Sequence, residues 1–304
     1  MGTLDGKVVF ITGAARGQGR SHAVTAAREG ADVVLFDIAA PVPGIKYPLA
    51  TEDDLDKTRK LVEEQGRRAL TVVGDVRSQD DLDSAVAQAV DTLGGIDGVV
   101  ANAGVWDLGP AGWQTGEQEF QVVVDTVLGG VFRTIKAVAP HFVERRAGAI
   151  VAIASVGGLE ATAGYTSYIA AKHGVIGLLK NTALELGPHN VRANTVCPGA
   201  IDTKIWDNSM GHKLFVAPGE PVDRKIALDA IYGYAPLAGR TALPSQAVSN
   251  AVVFLLSDLA EQITGVALPV DAGHLLLPGA NFAPITSGPE AERHRPPAVS
   301  PDDL

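Results

Sequence analysis

The sequence reads as a single α/β domain built on a doubly wound parallel sheet, and three observations predict this. Short β-branched runs recur along the chain, from KVVFIT through ADVVLFD, ALTVVGDV, GIDGVVANAG, GAIVAIAS and VRANTVCPG to VALPVDAG. Helical periodicity fills the intervals between them. The first run leads into a glycine-rich turn, GAARGQG, which opens a helix. Strands without polar alternation that are separated by helices are strands buried on both faces, so the expected architecture is Rossmann-type with seven parallel strands.

Lys7 to Thr12 is the first strand, and SHAVTAAREG carries the helix after the turn. Gly13, Gly17 and Gly19 follow G-x-x-x-G-x-G, where missing side chains let the backbone approach a pyrophosphate at the positive end of the helix. No Gly-Lys-Ser/Thr follows, which excludes a Walker A loop. The second strand ends at Asp37, about 20 residues past the turn, where a carboxylate accepts both ribose hydroxyls of NAD and repels a 2′-phosphate. Arg16 in the turn keeps NADP open as an alternative.

Residues 38–55 hold three prolines and a glycine in a connection too long for an ordinary loop, and are expected as an ordered excursion beside the cofactor. The third strand runs to Asp75, placed to meet an adenine amine, and the fourth ends in Asn102, Ala103 and Gly104, small enough for a ribose to lie against. A long helix is expected from about Gly116 to Arg145, followed by the fifth strand with Ser155 at its carboxyl end. Tyr168 and Lys172, four apart on the next helix, share a face, so the ammonium is placed to favour the phenolate in proton transfer. After the sixth strand, Thr203 is within reach of a carboxamide.

Two segments break the rhythm. Residues 204–235, with Trp206, Phe215, Tyr232 and Tyr234, read as a cover over a substrate or as packing against a neighbouring subunit. Residues 276–304, rich in Pro, Ala and Ser, read as an extended tail that either wanders or lies across another protomer, with a solvated His294, so the domain proper is 1–275.

A net charge of -10 disfavours a nucleic-acid partner, which needs a basic surface. The single cysteine, Cys197, forms no internal disulfide and reads as a small buried hydrophobe. With no membrane-length apolar run and a strand reached too early for a signal peptide, the expected location is cytoplasmic. No His/Cys cluster has ligand spacing, so no metal is expected.

With these residues assembled, the chain resembles the short-chain dehydrogenase/reductase family, on TGAARGQG, Asp75, NAG at Asn102–Gly104, Ser155, YIAAK at Tyr168–Lys172 and PGAIDT at Pro198–Thr203. TGAARGQGRSHA, the YPLAT insertion and YIAAKHGVIGL further resemble its mycofactocin-coupled, carveol dehydrogenase-like subgroup. The resemblance implies Tyr168 as general acid/base, Lys172 lowering its pKa and binding the ribose, and Ser155 orienting the substrate oxygen. It adds Ala15, Arg16, Gln18, Ile38, Val76, Pro198, Gly199 and Ile201 to the cofactor contacts. It also implies tightly held NAD, an external redox carrier such as mycofactocin, and a homotetramer.

One position departs. The family's V-N-x-x-G asparagine, which anchors a relay water, is Val127 here, so either Asp125 or Thr126 helps to organise that water or turnover is slower. The expected function is hydride transfer between NAD and a secondary alcohol or ketone, apolar or terpenoid-like because Trp106, Trp113, Trp206 and Phe215 follow strand ends. The alternatives are an NAD-binding sensor or structural protein with impaired catalysis, and an NADP-dependent ketone reductase.

Overall fold

The computed structural model describes residues 2–215, 222–277 and 288–294. Seven strands, β1 (Val8–Thr12), β2 (Asp32–Asp37), β3 (Ala69–Val73), β4 (Gly98–Ala101), β5 (Gly148–Ile153), β6 (Val191–Pro198) and β7 (Ala267–Val270), form one sheet in the order β3-β2-β1-β4-β5-β6-β7. Every pairing is parallel. Each connection therefore crosses over, through α1 (Gly17–Arg28), α2 (Glu52–Glu63), α3 (Gln79–Leu93), α4 (Glu117–Val124) with α5 (Gly130–Arg145), α6 (Thr166–Leu186), and finally α7 (Ser209–His212), α8 (Arg224–Ile231) and α9 (Ser245–Leu256).

Alternate residues of each strand enter opposite apolar layers. Val8 and Phe10 join one layer with Phe142 and Leu179, while Val9 and Ile11 join the other with Val248 and Leu255. Both faces of the sheet are covered, which is why its strands are apolar at consecutive positions. A third, smaller cluster of Trp206, Ala227, Ile231 and Ala242 lies apart from both layers.

Three expectations need correction. The expected helix from Gly116 to Arg145 is interrupted by one wide π-type turn, Asp125–Gly129, between α4 and α5. The adjacent glycines make this tolerable, and a Cβ on Gly130 would stand 2.8 Å from Val76. The third strand stops at Val73, leaving Asp75 in the loop beyond it. Within the expected extended tail, Pro289–His294 form a short helix, α10, and Ala291 is buried; the His294 side chain and the rest of the tail beyond Leu277 lie outside the described residues.

The order of the strands positions the site. Crossovers from β1 run outward through β2 to β3, and those from β4 run the other way to β7, so a crevice opens between β1 and β4 at their carboxyl ends. Among the described residues, no helix is long and apolar enough to cross a membrane.

Candidate active site

The strand ends open onto a cavity of about 420 Å³. Gly13, Arg16, Gly17, Gln18, Gly19, Asp37, Ile38, Asp75, Val76, Asn102, Ala103, Gly104, Ser155, Tyr168, Lys172, Pro198, Gly199, Ile201 and Thr203 all line it. Ala15 does not. It is fully buried beneath the turn, with its N–H donating to Asp37 and its carbonyl accepting from Arg20 and Thr58.

Ser155 follows β5, and its Oγ accepts the Gly157 N–H at 3.1 Å. Its own proton is thereby free to point at the Tyr168 phenol, to which the hydroxyl is hydrogen-bonded. The first turns of α6 bring Tyr168 and Lys172 to the same wall, with Lys172 Nζ 5.5 Å from the phenol ring centre. Lys172 is buried, and its ammonium donates to the Ile153 carbonyl at 2.6 Å. Burial lowers its pKa from 10.5 to about 8, leaving this lysine ready to exchange a proton near neutrality.

Burial pushes the Tyr168 phenol up, and the hydrogen bond from the Ser155 hydroxyl opposes that rise. Cys197, fully buried as expected, lies behind the three side chains, and its thiol is pushed up to about 11 by burial.

Val127 sits fully buried in the wide turn. A Cβ on Gly104 would be 3.7 Å from Val127 Cγ2 and 3.9 Å from Lys172 Nζ, which places all three together. Each suggested substitute for the asparagine already makes one bond, and Thr126 also lines the cavity. Thr126 Oγ1 donates to Val122 O at 2.7 Å, and the Asp125 carboxylate is paired with Arg133 at 2.8 Å.

The glycine turn is compressed onto its surroundings. Gly13 has φ +67, and a Cβ there would stand 2.8 Å from Ala103 Cα; one on Gly19 would fall 1.9 Å from Gly13 O. Asn102 braces this arrangement by donating to Thr12 O and Gly13 O at 2.9 and 3.1 Å. At the start of α1 the Arg16 side chain caps nothing. Its guanidinium instead donates to Pro48 O at 2.7 Å, and the first helical N–H groups face the cavity. Asp37 accepts from the Ala15 and Ala39 N–H groups, both at 3.0 Å, while burial raises its pKa. Asp75 lines the cavity already clasped by Arg77, with Nη2 to Oδ2 at 2.5 Å, a partner the sequence reading did not foresee.

These residues fit a dinucleotide. The buried Gln18 Oε1 and Thr203 Oγ1 have no partner within the protein, a costly condition that a ligand bearing amide and hydroxyl groups relieves. Val42, Tyr47, Leu49 and Ala50 of the 38–55 insertion form part of the same wall, and the Tyr47 hydroxyl accepts the Trp106 N–H at 3.1 Å.

Aromatic rings enclose the other end. Trp106 stacks on Tyr165 at 5.6 Å between ring centres, and Tyr165 faces Tyr168 at 6.2 Å. Trp206 and Phe215 of the 204–235 segment line the opposite wall with Tyr234. Arg224 secures that segment through Asp202 at 2.9 Å, Asp207 at 3.0 Å and the Trp206 ring at 5.6 Å. Two aromatic expectations fail: Trp113 is 88% exposed, on a loop directed to solvent, and Tyr232 is buried away from the cavity wall. The sequence reading also missed Glu160, Tyr165 and His274 on the wall, since none sits in a spacing that marks it. Among the described residues, no three His, Cys, Asp or Glu side chains gather as metal ligands.

Residues 7–213 match the short chain dehydrogenase family. The chain is similar to (-)-trans-carveol dehydrogenase of Rhodococcus erythropolis, with 42% identity over 91% of this chain and 100% of that one. A solved carveol dehydrogenase from Mycobacterium avium, in complex with NAD, superposes with a TM-score of 0.85 at 43% identity, covering 91% of this chain and 100% of its own. A short chain dehydrogenase from Mycobacterium paratuberculosis bound to NAD gives 0.81 at 34% identity, with 91% and 100% covered. A parallel sheet with this strand order, a Ser–Tyr–Lys wall facing a glycine turn and a match spanning both lead to one conclusion: the chain is an oxidoreductase belonging to the short chain dehydrogenase family.

Proposed function

We propose that the protein is an NAD-dependent oxidoreductase interconverting a secondary alcohol and its ketone on a neutral, apolar, ring-bearing substrate of the carveol kind. The observation that carries this reading is that Ser155, Tyr168 and Lys172 share one wall with the glycine turn and the unpartnered Thr203 hydroxyl. Asp37 at the end of β2 and the engagement of Arg16 by Pro48 favour NAD over its 2′-phosphate form. Trp106, Tyr165, Trp206, Phe215 and Tyr234 offer apolar faces to the substrate.

NAD supplies the hydride acceptor and donor. Gly13, Gly17 and Gly19 with the N-terminus of α1 hold its pyrophosphate, Asp37 and Lys172 its riboses, and Thr203 and Gln18 offer hydrogen bonds to its polar edges. The Ser155 hydroxyl orients the substrate oxygen, Tyr168 Oη exchanges the proton, and Lys172 passes that proton on from a pKa near 8. A positive charge beside the phenol, such as the Lys172 ammonium 5.5 Å from its ring, favours the phenolate against the effect of burial.

Tyr168→Phe tests the assignment. It lowers alcohol oxidation by about 10²- to 10⁴-fold while leaving NAD affinity within about twofold. Parental turnover in that variant refutes the proton-transfer role.

Val127 supports a second reading, an NAD-binding sensor, because its side chain cannot hydrogen-bond and lies buried beside Lys172 and Gly104. Anaerobic addition of alcohols decides: bound NAD that gains no absorbance near ~340 nm with any of them favours the sensor. Three further proposals follow from the family resemblance, namely a cytoplasmic homotetramer, NAD retained beneath the 38–55 insertion, and reoxidation by an external carrier such as mycofactocin. Light scattering tests the tetramer, and NAD that survives dialysis and turns over only with added carrier tests the other two.

A further inference from the structure

Glu160 and His274 lie on the cavity wall, and the proton-transfer chemistry uses neither. They are 114 residues apart in sequence, yet His274 Nε2 stands 2.6 Å from Glu160 Oε1. The other imidazole nitrogen, Nδ1, is 3.1 Å from the Tyr234 carbonyl oxygen. A carbonyl only accepts, so Nδ1 donates to it, and the contact at Nε2 is a second hydrogen bond, to the Glu160 carboxyl group. One imidazole thus ties three walls together: the loop after β5 through Glu160, the covering segment through Tyr234, and the turn after β7 that bears His274 itself.

The rings extend this link. His274 stacks on Tyr234 at 5.4 Å with 24° between planes, Tyr234 meets Phe215 edge-on at 5.1 Å, and Phe215 lies 6.1 Å from Trp206. On the far side, Glu160 precedes Tyr165, which carries the stack to Trp106. The two arcs of rings are joined at one end by the Trp106 indole N–H, which donates to Ile205 O at 2.7 Å beside Trp206, and at the other by the Glu160–His274 pair.

We propose that His274 and Glu160 form a clasp that fixes the separation of these arcs, making them specificity-determining positioning residues for ring-bearing substrates. The inference rests on the alcohol–ketone reading of the site. A small alcohol reaches Ser155 and Tyr168 without filling the space between the arcs. A cyclic one fills it and depends on the walls being held at a fixed spacing.

The test compares cyclohexanol with isopropanol as substrates of the NAD-loaded enzyme. His274→Phe keeps a ring against Tyr234 but loses both hydrogen bonds, and Glu160→Ala removes the other half of the clasp. Each is expected to raise KM for cyclohexanol about tenfold, with KM for isopropanol, kcat for both alcohols and NAD affinity within about twofold. The double variant is expected to lose no more than either single one. Glu160→Gln, whose amide can donate to Nε2, is expected to restore most of the cyclohexanol KM. Equal changes in KM for the two alcohols, or no change, overturn the clasp. Calorimetric titration of the NAD-loaded protein with cyclohexanone and acetone reads the same discrimination without turnover. If no alcohol is oxidised, the alcohol–ketone reading fails on its own, while selective loss of cyclohexanone binding in His274→Phe still supports the clasp and its absence refutes it.

Discussion

Replacing Lys172 by methionine should stabilise the protein while disabling it. The buried ammonium titrates at about 8 instead of 10.5. At ~1.4 kcal/mol per pH decade, holding that charge out of water costs the fold about 3 kcal/mol. Methionine has nearly the same length and no charge to desolvate, but it forfeits the hydrogen bond to Ile153 O, a charged donor worth roughly 1.5 kcal/mol or more. A net gain of about 1–2 kcal/mol at pH 7 is expected for the cofactor-free protein, together with loss of turnover.

The pH dependence fixes the cause. Below pH 8 both the folded and unfolded chains carry the ammonium and the cost is complete; between 8 and 10.5 the folded chain sheds the proton while the unfolded one keeps it. The unfolded state then binds more protons, so parental stability rises with pH across that window relative to the variant. Urea unfolding of both proteins from pH 7 to pH 10, free of NAD because ligand binding adds its own stabilisation, measures the difference directly. A Lys172→Met variant less stable than the parent at pH 7, or a parent–variant difference that stays flat with pH, refutes the reasoning.

Other outcomes follow from single residues. His22, buried between α1 and α9 with its Nδ1 against Ser249 Oγ, has its pKa lowered by burial from 6.5 to about 3. The unfolded chain takes up this proton first, so stability falls as pH drops from 6.5 toward 3, by roughly 5 kcal/mol in all; His22→Leu flattens that acid limb in urea titrations, and an unchanged slope refutes the assignment. Thr203→Val removes a buried hydroxyl that has no partner. It should leave the melting temperature of the cofactor-free protein unchanged or slightly higher and weaken NAD binding about tenfold by calorimetry. Asp37→Ser should narrow the preference for NAD over NADP by at least about tenfold in competition binding, because the carboxylate that repels a 2′-phosphate is gone.

Most of the scaffold is legible in the sequence because its signals are local. Consecutive apolar residues in DVVLFD mark a strand covered on both faces, and a glycine turn after VVFIT marks where the crossover begins. Ser155, Tyr168 and Lys172 are legible for the same reason: a strand end and a helical spacing place them without knowledge of distant contacts. What escapes the sequence depends on long-range packing. The carbonyl that holds Lys172 is 19 residues away, on β5, so this anchor could not be read from Tyr-x-x-x-Lys. Trp113 resembles a pocket residue by its position after a strand, yet the loop between Trp106 and α4 turns it outward. His274 and Glu160 meet only because β7 and the loop after β5 end on the same side of the sheet.

The 204–235 segment, which lends Trp206, Phe215 and Tyr234 to the cavity wall, packs on a small nucleus of Trp206, Ala227, Ile231 and Ala242, outside the two large layers. Mutations that reshape this wall therefore leave the foundation intact. Warming should loosen it first, so that discrimination between substrates fades at temperatures where the Tyr168 helix is still rigid. By the same separation, a lineage can explore new molecules to act upon without first renegotiating how its chain folds.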